Sequence, residues 1–198
     1  MTLVVPMQHK ASAGRHGNSA DMLDAHFAFI ARNCRCVLHG ELLDPAGLNV
    51  CLTFDDGHFD FDAVVFPLLV KHGLRAVLAV PVSAMSTSHR FSRSRLDSPD
   101  VDLHTEIVVS QTMLAARTGR TVGSFVLPDG RFSARAIACA DKRDCYLFRI
   151  GSADNAGWTG RLIYRVDADE MTSPDALFAK RRLGGYRWRR RWNAMRSR

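Results

Sequence analysis

The stretch that decides the fold is Asn49-Val50-Cys51-Leu52-Thr53-Phe54-Asp55-Asp56-Gly57. From Val50 to Phe54 it is almost continuously apolar, as strands are when both faces of a parallel sheet are covered. The run stops abruptly at two adjacent carboxylates and a glycine. In parallel α/β folds the chemistry sits where strands end at their carboxyl edge, so Asp55 and Asp56 stand where reactive groups are expected. Adjacent acids repel. The pair makes sense if one carboxylate binds a metal and the other takes a proton. The other reading is an Asp-Gly turn with an acid near the start of the next helix.

Working outward, strands and helices alternate. Residues 3–7 form a short β-like run, followed by a polar loop over 11–18. Ser19 caps a helix predicted over 20–33, with Met22, Leu23, His26, Phe27 and Ile30 on one stripe. Residues 34–38 read as a strand. A helix follows over 61–72, stopped by Gly73, and then a third buried strand over 74–82. The next segment, 83–98, is polar and rich in Ser and Arg. Ser98-Pro99-Asp100 opens a helix that runs to Gly119. Residues 122–127, 145–150 and 162–166 read as strands and 133–141 as a helix. Ser173-Pro174-Asp175 starts a last short helix. This alternation predicts a parallel α/β sheet or barrel and excludes an all-β or helix-bundle fold. No internal repeat or second domain is visible.

The 198 residues, 46% hydrophobic and 24% charged, make one globular domain rather than a disordered or fibrous chain. No apolar run approaches the roughly 18 residues a membrane span needs. The opening residues lack the basic and apolar regions of a signal peptide, so a cytoplasmic location is expected. The net charge of +7 is local: residues 180–198 carry nine basic residues and no acid, and removing them leaves residues 1–179 at −2. The chain therefore reads as a slightly acidic body, 1–179, with a basic aromatic tail, 180–198. Tyr186, Trp188 and Trp192 interleave with arginines there, which suits a solvated terminus, a membrane surface, or an anionic polymer held by stacking and charge. Nothing in the body supports nucleic-acid binding. The five cysteines contain no Cys-x-x-Cys pair and read as small buried thiols, free in a reducing compartment.

Val50-Cys-Leu-Thr-Phe-Asp-Asp-Gly57 resembles the TFDDG motif of the polysaccharide deacetylases, the NodB-homology group of carbohydrate esterases. Its neighbours share the resemblance. Val4-Val-Pro-Met-Gln-His9 is similar to the "MYH" opening of the short bacterial members. Phe66-Pro-Leu-Leu-Val-Lys-His-Gly-Leu-Arg-Ala-Val77 is similar to their "PLLKKYGFKAT", and Ser124-Phe-Val-Leu-Pro-Asp-Gly130 to "SFAYPYG". The resemblance implies a distorted, shortened (β/α) barrel that hydrolyses N-acetyl or O-acetyl groups from a sugar. It makes Asp55 the general base and Asp56 a ligand of a divalent metal, zinc foremost, which would activate water. The backbone N–H of Asp129 would help hold the oxyanion.

In the family two histidines complete the metal site. Here the matching segment, Ser88-His89-Arg90-Phe91-Ser92-Arg93, keeps His89 and puts Arg93 in place of the second. A guanidinium cannot ligate a metal; Arg93 would instead occupy the metal's place and pair with Asp56. His58 is the candidate replacement ligand, or else a surface loop histidine. His104 reads as a partly buried helix histidine, and Asp60 as a cap of the helix that follows it. The family's late Leu-x-His motif falls on Leu162-Ile163-Tyr164-Arg165, without a histidine, which leaves His9 to assist at the leaving amine. The implied role is deacetylation in surface-polysaccharide assembly, such as O-antigen or lipopolysaccharide biosynthesis. The substrate would be an acetylated sugar or glycan, and 180–198 would meet the inner-membrane surface. The alternative is a catalytically inactive sugar-binding or scaffolding relative.

Overall fold

The computed structural model describes residues 1–82, 102–130 and 133–196. His89 and Arg93 lie outside the described residues, as does the proposed helix opening at Ser98-Pro99-Asp100. The chain divides into two compact units, one made of Met1–Ala79, Gly151–Gly157 and Tyr164–Arg198, the other of Val80–Ile150 and Trp158–Ile163.

The first unit begins with β1 (Thr2–Val4) and β2 (Pro6–Gln8), two halves of the run expected over 3–7. The break falls at Val5, just before Pro6, which has no N–H to give a ladder; the Pro6 carbonyl accepts from Thr53 Oγ1 at 2.8 Å. The deciding stretch is divided in the same way, into β4 (Leu48–Val50) and β5 (Leu52–Phe54). β4 pairs in parallel with β1, and β5 with β2. The strand expected over 34–38 shrinks to β3 (Arg35–Cys36), beside β4, and that over 74–82 to β6 (Ala76–Leu78), beside β5.

Helix α1 (Ala20–Asn33) matches its sequence signals. Ser19 Oγ accepts the Met22 N–H, and Leu23, His26, Phe27 and Ile30 are buried. A π-helical turn, Phe61–Val65, leads into α2 (Phe66–His72), where one ordinary helix was expected. Gly73, at φ 64°, closes α2 in the left-handed conformation that glycine adopts without strain. The core gathers Leu23, Phe27, Ile30, Leu52, Phe54 and Val65. Phe54 meets Phe27 and Phe61 edge to face, with centroids 6.4 and 5.3 Å apart, a favoured aromatic geometry.

In the second unit a π-helical turn, His104–Val109, runs into α3 (Ser110–Thr118), ended by left-handed Gly119. His104 is exposed there rather than partly buried, because it opens the turn while Leu103 and Ile107 take the inward positions. β7 (Ser124–Val126) pairs in parallel with β8 (Tyr146–Ile150). Between them lie a single 3-10 turn, Pro128–Gly130, and α4 (Ala134–Asp141), which Ser133 caps through the Ala136 N–H. Leu103, Ile107, Leu127, Ala136, Ala140 and Leu147 form this unit's core.

β9 (Leu162–Asp167) starts in the second unit and ends in the first, where it pairs in parallel with β2. The six-stranded sheet runs in the order β6-β5-β2-β9-β8-β7. After β9 come α5 (Pro174–Phe178) and α6 (Lys180–Arg196). The basic segment is thus helical and anchored. Tyr186 is buried in the first core with Leu183 packed against that cluster, and Arg187 Nη2 donates to Thr2 Oγ1 at 3.0 Å. Arg190 Nε lies 3.3 Å and Arg187 Nε 4.0 Å from the fully buried carboxylate of Asp154.

Candidate active site

Parallel strands in register deliver their following residues to one edge. Gln8 stands opposite Phe54, and Met7 opposite both Thr53 and Asp167. His9, Asp55 and Asp169 therefore emerge together, just beyond β2, β5 and β9 of the first unit. The ladder continues into them: the Asp55 N–H donates to the Gln8 carbonyl at 2.8 Å, and the Ala168 N–H to the Met7 carbonyl at 3.0 Å.

Asp55 is buried, 8% exposed. Its Oδ1 accepts from Arg165 Nη1 at 2.6 Å, and its Oδ2 lies 3.9 Å from His9 Nε2. The second separation is too long for a hydrogen bond, so one carboxylate oxygen is held and the other faces the imidazole. Arg165 projects from the middle of β9 and is 1% exposed. A buried guanidinium is costly unless it is paired, and Asp55 is its partner.

His9 is gripped twice by Asp169. The backbone N–H donates to Oδ1 at 3.1 Å and the ring Nδ1 lies 2.6 Å from Oδ2. A carboxylate only accepts, so Nδ1 carries the proton and Nε2 is turned toward Asp55. The bond to Asp169 raises the His9 pKa above the usual 6.5. Burial opposes the rise, while the charges of Asp169, Asp55 and Asp56 add to it. Behind this pair, Asn18 Nδ2 donates to Gln8 Oε1 at 3.3 Å and to the Ala168 carbonyl at 2.8 Å, while Asn18 Oδ1 accepts the Met171 N–H. The edge that carries His9 and Asp169 is thereby tied from the inside.

Asp56 turns the other way. It adopts φ 68° and Gly57 φ 59°, so the chain reverses through two left-handed residues. Asp is among the few side chains that tolerate this region. The Asp56 side chain is half exposed, with one carboxylate oxygen 3.6 Å from His58 Nε2. Asp60 does not cap the turn that follows it, as the sequence suggested; its Oδ2 accepts the Ala11 N–H at 2.7 Å. It braces the polar loop beside His9, because the backbone donor it meets comes from 49 positions earlier rather than from its own helix.

Asp55 and His9 are thus brought together, and Asp56 and His58 form a second, outer pair. Asp129 lies in the 3-10 turn of the second unit. Arg165 and Asp169, which hold Asp55 and His9, escape the sequence reading. A signal exists for each: Arg165 interrupts an apolar strand, and Asp169 follows β9 much as Asp55 follows β5. A divalent metal finds two candidate donors in Asp56 and His58. Among the described residues no group of three His, Cys, Asp or Glu side chains converges to hold one, so these residues do not make a metal centre by themselves.

No protein-family model matches the sequence, and no curated protein matches it either. Solved structures do match. The Streptococcus pyogenes deacetylase PplD, in complex with acetate, superposes with a TM-score of 0.72 at 19% identity, over 89% of this chain and 96% of that one. A de-N-acetylase from Aggregatibacter actinomycetemcomitans gives 0.69 at 15%, over 94% and 100%. The polysaccharide deacetylase BC0361 from Bacillus cereus gives 0.70 at 16%, over 89% and 68%. The resemblance carried by Thr53-Phe54-Asp55-Asp56-Gly57 therefore extends to the architecture, and the chain has the α/β fold of the polysaccharide deacetylases.

Proposed function

We propose that this protein hydrolyses the acetyl group of an acetylated sugar. The observation that carries the reading is the pairing at one strand edge of two held groups with complementary tasks. Asp55, a carboxylate fixed by Arg165, takes a proton from the attacking water. His9, oriented by Asp169 with its pKa raised, returns a proton to the leaving amine as the carbon–nitrogen bond breaks, giving acetate and the free amino sugar. An O-acetyl group would leave as the alcohol by the same transfers.

The divalent metal, zinc foremost, belongs to the same proposal, with Asp56 and His89 as ligands and His58 as the replacement for the missing histidine. No step is assigned to it, since the described residues do not complete its site. The backbone N–H of Asp129 is proposed as an oxyanion donor. The finer setting is surface-polysaccharide assembly on the cytoplasmic side, O-antigen or lipopolysaccharide included, with residues 180–198 at the membrane surface.

The test is release of acetate from N-acetylated and O-acetylated sugars, with and without added Zn²⁺ or Co²⁺. Activity that disappears in Asp55→Asn and falls sharply in His9→Gln is the expected result. A well-folded protein that releases no acetate with either metal would overturn it. That outcome would favour the second reading, an inactive sugar-binding relative, which the arginine at position 93 motivates.

A further inference from the structure

Helix α6 has two unlike faces. At 100° per residue, Leu183, Tyr186, Arg187 and Arg190 share one side, and these are the residues that meet the core, Thr2 and Asp154. The opposite side brings Arg181, Trp188, Trp192 and Met195 into one stripe, flanked by Arg189 and Arg191. Trp188, Trp192 and Met195 are 61%, 45% and 65% exposed, and the three arginines are exposed as well. The two indoles stack on each other, centroids 5.7 Å apart and 17° from parallel.

We infer that this outer face of α6 lies on a bilayer containing anionic phospholipid, with Trp188, Trp192 and Met195 entering the headgroup boundary and Arg181, Arg189 and Arg191 meeting lipid phosphates. The charge is complementary, since the helix carries no acid. The arrangement favours a membrane over a polyanion. Trp188, Trp192 and Met195 form an apolar patch with Arg189 and Arg191 on its flanks and Arg181 beyond its end, the pattern of an interfacial helix, whereas a polyanion would call for a continuous run of cations interleaved with open aromatic faces. The inward arginines keep the helix on the protein through Asp154 while the outer face binds. Thr2 opens β1, whereas His9 and Asp55 follow the far ends of β2 and β5, so docking here leaves the reactive edge uncovered. The contact rests on the proposed membrane-side setting and not on the reaction.

The full chain would be mixed with vesicles of phosphatidylcholine, with and without phosphatidylglycerol, and followed by sedimentation and tryptophan emission. Expected are salt-sensitive binding to the anionic vesicles alone and a blue shift. Trp188→Ser/Trp192→Ser should lose at least about tenfold in affinity, and Arg181→Gln/Arg189→Gln/Arg191→Gln roughly 100-fold. Acetate release from a soluble sugar should be unchanged in both, which separates this contact from the reaction. If the tryptophan variant fails to fold, the arginine variant decides. No binding to anionic vesicles, equal binding to neutral ones, or variants that bind as the parent does would overturn the assignment. So would tight binding to dextran sulfate that displaces the vesicles and survives loss of both tryptophans.

Discussion

Arg165, buried in the middle of β9, donates to Asp55 from 110 positions along the chain, at 2.6 Å. β9 is separated from β5 by β2, so the guanidinium reaches past the intervening strand to hold the carboxylate beyond its end. The pair fixes which Asp55 oxygen is occupied and which faces His9.

Removing one partner should therefore cost more than the pair is worth. Arg165→Met leaves a buried carboxylate uncompensated, and the expected loss of stability is about 3 to 5 kcal/mol. Asp55→Asn should cost at least as much, because the amide leaves the more deeply buried Arg165 charge uncompensated, and a guanidinium, unlike a carboxylate, cannot neutralise itself. Urea unfolding of the two variants checks the order. An Arg165→Met protein as stable as the parent would show that the pair contributes little.

Asp169 controls the titration of His9. The folded pKa is raised above the unfolded value of about 6.5, chiefly by the Asp169 hydrogen bond. Its stabilisation is therefore fully present below pH 6.5 and is lost as pH rises through the folded pKa. Asp169→Asn should lower the His9 pKa, seen by NMR of the ring protons, and should move the alkaline limb of any acetate-releasing activity to lower pH. An unmoved ring titration would remove Asp169 from this role.

His26 behaves in the opposite sense. It is 1% exposed on α1, and neither ring nitrogen finds a hydrogen-bond partner among the described residues. Burial depresses its pKa, against a weaker opposing effect of the Ser173 backbone. A histidine depressed in the fold supports stability above its unfolded pKa and withdraws that support as pH falls below about 6.5. His26→Leu should flatten the loss of stability between neutral and mildly acid pH, and should leave stability at pH 8 within about 1 kcal/mol. Thermal melts across pH give the answer; a parallel acid limb in both proteins would exclude His26 as its source.

Arg93 and the metal are coupled in the proposed function. Arg93→His exchanges a group that cannot ligate for one that does, so zinc affinity, measured by competition with a chelator, should rise by tenfold or more. No gain would separate position 93 from the metal proposed at Asp56.

Local features were legible in the sequence because they are written in adjacent residues. Ser19 and Ser133 announce helix starts, Gly73 and Gly119 helix ends, and the apolar run before Asp55 a buried strand. Those signals need no knowledge of the tertiary fold. The partners of the site were not, because each lies a long way off: Asp169 is 160 positions from His9, and Arg165 belongs to a strand whose neighbour cannot be read from its own residues. What was available was an anomaly, a cation inside an apolar strand, which requires a buried anion without saying which. The π-helical turns at Phe61–Val65 and His104–Val109 were illegible for another reason, since they keep nearly the apolar spacing of an ordinary helix.

The arrangement of the first unit has a consequence for synthesis. β1, β2, β5 and β6 leave the ribosome early, but β9 and α6 follow only after Val80–Ile150 has been made. Until then the edge of β2 that β9 covers has no strand beside it, and the core places of Tyr186 and Leu183 are unfilled. Completion of this unit therefore waits until the residues between its two parts have been made, and it is dominated by distant contacts, which makes it slow. The nascent chain meanwhile presents an open apolar strand edge of the kind that aggregates or recruits a chaperone.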